Sequence, residues 1–521
     1  MKALNVLLAI VVSLVLGVVV LEVGLRVIGL GPKHTMNEFD DSLGWSKVPN
    51  SSFRKKTSEF DVTYDINALG LRDDPMSDPA KPANTFRVVV LGDSFTLGLA
   101  VDRNDLFVDQ LERWWKAENR RVDVINTGTE GYDTDQEVLW LLEHGQEFAP
   151  DLVLLMAYEN DLYWNGETQY MGAKDKPRFM PDGQLETRTL VDHTDKSWKS
   201  RFALTQKLVP RPDDSRFLFQ PDGAPHPILK EFAPLLLSPP DFMAAVLDHT
   251  RGALRALKAE GEKLGARVIV VPIPSHAVVD KDYRESFGAR ALGLPPDRWN
   301  PDKPVDTLLA LSKEVGLETL DPRTTLKASA RGEDLYNRVD WHLNAEGNAI
   351  LAQFLHDQLD YLGAFPPGHT APAGVGLDMP EVVHEHGGAP AWLRLYAALW
   401  AVLTILYLFT YRDEPKWQPP LKVGVMLSAI FAIVIGGRRL IALLPPQVAK
   451  YVAIAFVVGL LCFVLYKIGR RVTTILELIK SFVLRGHWYL MPLIVVLLTI
   501  GSLLVVAASS PLVAPFIYTL F

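Results

Sequence analysis

Long apolar runs flank this chain at both ends, and between them hydrophobic positions fall into short runs and one-sided helical faces. Residues 4–20 are almost continuously apolar, and 21–30 extend the run with Glu22 and Arg26 as its charged interruptions. About 20 apolar residues suffice to cross a bilayer, so residues 1–31 are expected to form an N-terminal transmembrane anchor. No small-residue cleavage site follows the run, which argues against a removed signal peptide. The second apolar block starts at Trp392 and reads as about four spans: 392–411, 423–437, 448–466 and 489–508. The second of these is short and runs directly into Arg438 and Arg439. Residues 472–485 read as a basic amphipathic helix lying at the membrane interface.

The polar middle alternates between two periods. Residues 87–91 (RVVVL), 122–125, 151–156 (DLVLLM) and 267–273 (RVIVVPI) are short β-branched or aliphatic runs with the character of buried strands, and 317–320 is a candidate fifth. Between them lie helical patterns over 104–119, 134–148 and from about 241, and a closing helix over 345–359; in the first, Leu106, Phe107, Leu111, Trp114 and Trp115 share one face. Strands alternating with helices predict a parallel sheet covered on both faces. The expected fold is therefore α/β, three-layered, with reactive groups at the carboxyl ends of the strands. Residues 162–240 break the rhythm and read as a lid or substrate-binding insertion in a domain spanning 32–365. Residues 366–391, rich in Pro, Gly and Ala, read as a linker to the membrane region 392–521.

Composition changes this picture in three ways. The averages of 48% hydrophobic and 22% charged residues over 521 positions conceal the segregation just described. A formal net charge of -8 speaks against a nucleic-acid surface, which needs clustered Lys and Arg. The single cysteine, Cys462, lies in an apolar run, so neither a disulfide framework nor a thiolate metal cluster is available. With the N-terminus inside, one set of connections carries Arg412, Lys416, Lys422, Lys467, Arg470, Arg471, Lys480 and Arg485, against Arg394, Arg438, Arg439 and Lys450 on the other, apart from Arg26 and Lys33 beside the anchor. The positive-inside rule then places the polar domain outside the cytoplasm.

Candidate chemistry sits where the pattern places reactive groups. Leu91-Gly92-Asp93-Ser94-Phe95-Thr96 follows the first strand, where a serine hydroxyl is presented at the sheet edge. Asn126-Thr127-Gly128-Thr129-Glu130-Gly131 follows the second, and Glu159-Asn160-Asp161 the third; a glycine N–H and an asparagine amide are suitable donors to an oxyanion. Taken singly, Gly131 also suits a turn and Asn160 a helix cap. Asp340-Trp341-His342-Leu343-Asn344 precedes the closing helix, and a serine nucleophile needs a histidine base oriented by a carboxylate. His384-Glu385-His386 in the linker is a bare His-x-His pattern without further ligands, and no metal is required.

These pieces, in this order, resemble the SGNH (GDSL) hydrolase superfamily: Gly-Asp-Ser after strand one, a glycine block after strand two, Gly-x-Asn-Asp after strand three, and a C-terminal Asp and His. The resemblance covers about residues 87–359, apart from the insertion, and implies a flavodoxin-like domain without cofactor. The run from Leu43-Gly44-Trp45 through Asn67, Gly70 and Arg72 resembles what precedes the serine in membrane-anchored members. By resemblance Ser94 is the nucleophile, His342 the general base and Asp340 its orienting acid. The oxyanion donors are the N–H groups of Ser94 and Gly131 and the side chain of Asn160. Two positions depart from the pattern: Tyr158 replaces the glycine before Asn-Asp, and Val339 stands where the acid usually lies, three residues before the histidine, with Asp334 as a reserve acid.

The C-terminal end, including Trp488–Pro492 as residues 488–492 and the run 514–521, resembles an uncharacterised bacterial membrane-protein family, and the preceding span pair is similar to membrane proteins named after a saxitoxin-operon component. The expectation is a multi-pass protein of a bacterial inner membrane, its catalytic domain facing the periplasm or exterior, acting on carboxylic esters of an envelope glycan or lipid. Transfer of an acyl group to a glycan hydroxyl and a non-catalytic assembly role are the alternatives, with membrane-protein partners recruited through the C-terminal spans.

Overall fold

The computed structural model describes residues 36–57, 59–76, 78–193, 213–329 and 335–365 continuously, with scattered positions at 18, 22 and between 393 and 428. It divides into two compact units, one formed by Met1–Lys33, Lys196–Pro210 and His384–Phe521, the other by His34–Asp195 and Arg211–Val383.

The second unit opens with two antiparallel hairpins, β1 (Asn37–Asp40) with β2 (Gly44–Lys47), and β3 (Ser51–Lys56) with β4 (Asp61–Ile66). On β4 every second residue, Val62, Tyr64 and Ile66, is buried, the period of a half-covered strand. The α/β body then runs β5 (Phe86–Gly92), α1 (Phe107–Ala117), β6 (Val122–Asn126), α2 (Thr134–Phe148), β7 (Leu152–Met156), α3 (Phe242–Leu264), β8 (Arg267–Val270), α4 (Lys303–Val315), β9 (Glu318–Thr319) and α5 (Ala345–Tyr361). The five sheet strands lie in the order β9-β8-β7-β5-β6, each pair parallel. β5 sits between β6 and β7, so the chain leaves it in one direction and returns on its other side. This is the flavodoxin-like order, and its switch point opens at the carboxyl ends of β5 and β7.

Alternation along the strands divides the core in two. Val88 and Val90 of β5 pack with Phe107, Leu111, Trp115, Leu351 and Leu355 of α1 and α5. Val89 and Leu91 pack with Val138, Leu141, Leu254, Leu257, Leu308 and Leu311 of α2, α3 and α4. The expected three-layer parallel α/β domain is present. β8 is shorter than its apolar run because Pro272 has no N–H, yet Val271 N and Ile273 N still donate to Leu155 O and Ala157 O at 2.8 Å.

The described parts of the insertion are built into the domain. Trp164, Phe179 and Phe217 are buried, and Lys176 lies fully enclosed with Nζ 3.0 Å from Asp133 Oδ2 and 2.7 Å from Asp135 Oδ2.

In the first unit, helical positions recur between 393 and 408, over 418–425 and at 427 and 428; Tyr396 Oη lies 2.9 Å from Ser428 Oγ, and Trp400 Nε1 donates to Pro420 O at 2.9 Å. Among the described residues no helix is long and apolar enough to cross a membrane. The expected anchor 1–31 and the spans 448–466 and 489–508 lie almost wholly outside the described residues, as do His384-Glu385-His386, Cys462 and Asp334; the spans 392–411 and 423–437 are described only in part.

Candidate active site

β5 ends at Gly92, where a Cβ would overlap Thr96. The chain then turns sharply through Asp93, whose Oδ1 accepts a hydrogen bond from Phe95 N at 2.8 Å and caps the single helical turn Ser94–Leu97. Burial raises the Asp93 carboxyl to about 6, against the hydrogen bond from Phe95 N and the charge of His342, both of which lower it. Gly98, at φ +75°, closes the turn. Ser94 is thus held at the carboxyl end of the central strand, at the switch point.

His342 reaches it from the loop before α5. Tyr336 and Leu343 pair as an antiparallel bridge, Asn337 N donates to His342 O at 2.8 Å, and Trp341 N to Asn337 O at 3.1 Å. Asn344 then caps α5, accepting from Gly347 N at 3.0 Å. In this frame His342 Nε2 lies 2.7 Å from Ser94 Oγ, and His342 Nδ1 lies 2.5 Å from Asp340 Oδ1. Burial works to raise the Asp340 carboxyl, but its hydrogen bond to His342, the His342 charge and Lys55 outweigh it and hold the carboxyl below its ordinary value. An ionised carboxylate only accepts, so the Nδ1 proton stays toward Asp340 and Nε2 is left to accept from Ser94 Oγ. The Phe95 ring lies against the imidazole with centroids 4.6 Å apart.

The glycine block after β6 is folded under the Ser94 turn. Asn126 Nδ2 donates to Thr96 O at 2.9 Å, its Oδ1 accepts from Gly128 N at 2.9 Å, and a Cβ on Gly128 would overlap the backbone of Thr96 and Leu97. Gly131 has φ +75°, while a Cβ there would meet only Tyr170 and Trp45 at ordinary contact distances of 3.5 Å and beyond. Glycine is favoured at 131 by its backbone conformation, not by lack of room. After β7, Asn160 occupies the cap position of the short helix Asp161–Trp164, but its side chain makes no cap hydrogen bond. Among the described residues its buried Oδ1 has no hydrogen-bond partner. Tyr158, standing in place of a glycine, packs its ring on Phe95 with centroids 4.5 Å apart.

The structure therefore brings Ser94, His342 and Asp340 into one hydrogen-bonded chain, and sets Gly131 and Asn160 on the loops that follow the strands either side of β5. It adds contacts from the segment before β5, whose residues the sequence left without an assigned role. Lys47 Nζ donates to Gly128 O and Thr129 Oγ1, both at 2.6 Å. Trp45 Nε1 donates to Glu130 O at 3.0 Å. Arg72 Nη1 donates to Leu97 O at 2.8 Å and Gly98 O at 2.7 Å. Lys55 Nζ lies 3.8 Å from Asp340 Oδ2, and Glu59 accepts from Val339 N and Asp340 N. The Gly44-Trp45 and Asn67…Arg72 spacing was the one available signal.

A family of unknown function (DUF5989) matches residues 472–521. No curated protein matches the chain. Among solved structures, the chain is similar to TesA at 13% identity, with 53% of this chain and 99% of that one covered and a TM-score of 0.30. It is similar to the acetyl xylan esterase AlAXEase at 12% identity, covering 53% and 100%, with a TM-score of 0.30. It is also similar to a lipase/acylhydrolase from Enterococcus faecalis at 14% identity, covering 53% and 97%, with a TM-score of 0.29.

Glu118, just after α1, forms a group of potential metal ligands with His356 and Asp360 on α5. Arg120 already supplies the positive charge there, with Nη1 2.5 Å from Asp360 Oδ1 and Nη2 2.8 Å from Glu118 Oε2.

Proposed function

We propose that this protein is a membrane-anchored serine hydrolase of the SGNH type, acting on carboxylic esters of an envelope glycan or lipid from the outer side of a bacterial inner membrane. The observation that carries the reading is the relay from Asp340 through His342 to Ser94, held at the switch point of a parallel sheet.

In the first step Ser94 Oγ attacks the ester carbonyl carbon and passes its proton to His342 Nε2, while Asp340 stabilises the imidazolium. The carbonyl oxygen becomes an oxyanion, received by the N–H groups of Ser94 and Gly131 and by the Asn160 amide. Collapse expels the alcohol, which takes the proton from Nε2 and leaves an acyl group on Ser94. Water, activated by the same histidine, then releases the acid and restores the serine. A sugar hydroxyl entering in place of water yields transfer instead, through the same acyl-enzyme. The C-terminal spans, under this reading, recruit membrane-protein partners.

Hydrolysis of p-nitrophenyl acetate and of O-acetylated envelope glycan by the purified full chain tests the reading. Turnover that disappears in Ser94→Ala supports it; turnover equal in both proteins removes it.

A further inference from the structure

We infer that Glu59, at the end of the β3–β4 hairpin, is a positioning residue for the reaction at Ser94, holding the Asp340-Trp341-His342 turn in the geometry that lets Asp340 reach the imidazole. The inference rests on the function proposed above.

The spacing creates the need. With the acid only two residues before the histidine, Asp340 Oδ1 meets His342 Nδ1 across a single intervening residue while Nε2 still faces Ser94. That residue, Trp341, has φ +68°. A left-handed backbone is disfavoured for any side chain with a Cβ, and glycine is the residue that adopts it freely. Burial does not hold the turn, because Val339 is 56% exposed and Trp341 47% exposed.

Glu59 adds a constraint from outside the loop to the bonds that Asn337 makes within it. Its Oε1 accepts from Val339 N at 3.0 Å, and its Oε2 from Val339 N at 3.1 Å and Asp340 N at 2.9 Å. These are charge-assisted bonds to the two residues that immediately precede the strained position. The hairpin is itself closed, Thr57 N donating to Phe60 O at 2.8 Å and Thr57 Oγ1 accepting from Glu59 N at 3.1 Å. From the same hairpin Lys55 Nζ stands 3.8 Å from Asp340 Oδ2, so the acid is approached from both its backbone and its free oxygen. Glu59 does not touch the reacting atoms; it acts through Asp340.

The test compares kcat and KM for p-nitrophenyl acetate, together with thermal unfolding, in the full chain carrying Glu59→Ala, Glu59→Asp or Glu59→Gln. Aspartate keeps the charge but is one methylene too short. Glutamine keeps the reach and one acceptor oxygen. Misplacing a catalytic group by about 1 Å costs on the order of a hundredfold in rate, so kcat is expected to fall between about tenfold and a hundredfold in the Ala and Asp variants, with KM unchanged. Glu59→Gln should retain most of kcat. Adding Trp341→Gly to Glu59→Ala should restore part of it, because glycine adopts the left-handed turn unaided.

Folded Ala and Asp variants with wild-type kcat overturn the inference, as does a loss that appears in KM alone. If the Ala variant fails to fold, the other two decide: Asp slower than Gln supports positioning by reach, and Gln slower than Asp overturns it. Wild-type protein no faster than Ser94→Ala would instead remove the underlying function, a distinct result.

Discussion

Lys47 donates from a buried position to the carbonyl of Gly128, and so ties the first hairpin to the loop that carries Gly131. Its other partner, Thr129 Oγ1, is also neutral, and burial brings the amine down to about 7. An unfolded lysine titrates near about 10.4, so between roughly 7 and 10.4 the unfolded chain binds more protons than the folded one. Stability contributed at this site must therefore rise with pH across that window. Lys47→Met removes the dependence. Urea unfolding at pH 7 and pH 9.5 should show the wild type gaining relative to Lys47→Met at the higher pH; a constant difference would contradict the assignment.

Lys176 is also buried, and its role is structural. It stands between Asp133 and Asp135 at the start of α2 and also donates to Trp164 O at 2.8 Å. Removing one partner of a buried ion pair leaves uncompensated charge, at a cost of about 3–5 kcal/mol. Lys176→Ala should lower the unfolding free energy by about that amount, and Lys176→Ala combined with Asp133→Asn and Asp135→Asn should recover part of it. Denaturant titration of the three proteins checks both statements.

Asn160 offers a sharper test of the oxyanion assignment. A capping asparagine would accept from the backbone of Asp161–Trp164, and Asn160 does not. Asn160→Ala is expected to reduce kcat by on the order of 10²–10³ with little change in folding, the scale of one lost oxyanion donor. A fall in thermal stability with unchanged kcat would return the residue to a structural role.

The parallel sheet was legible because its strands are buried on both sides and read as unbroken aliphatic runs, as in Arg87-Val88-Val89-Val90-Leu91. Helix α2 matched its expected residues, 134–148, because Pro150 follows it closely. The hairpins were not legible. β3 is polar along most of its length, and β4 presents only three apolar residues at period two. The grip of Lys55 and Glu59 on the Asp340 turn joins positions some 280 residues apart, which no local pattern encodes. Lys176 gave no signal either, since a single lysine in a polar insertion reads as solvated, whereas the fold encloses it between two carboxylates. The order of Ser94, Gly131, Asn160 and His342 was readable; the hydrogen-bonded chain joining Ser94, His342 and Asp340 needed the structure.

Activation of Ser94 by His342 and Asp340 is the step on which the proposed chemistry depends. Labelling of the purified full chain by a fluorophosphonate probe tests it most directly, with Ser94→Ala and His342→Ala alongside. Covalent capture of the probe requires an activated serine. Wild-type labelling is expected to disappear in Ser94→Ala and to fall sharply in His342→Ala. Folded wild-type protein that takes no label, beside an esterase that does, would contradict it.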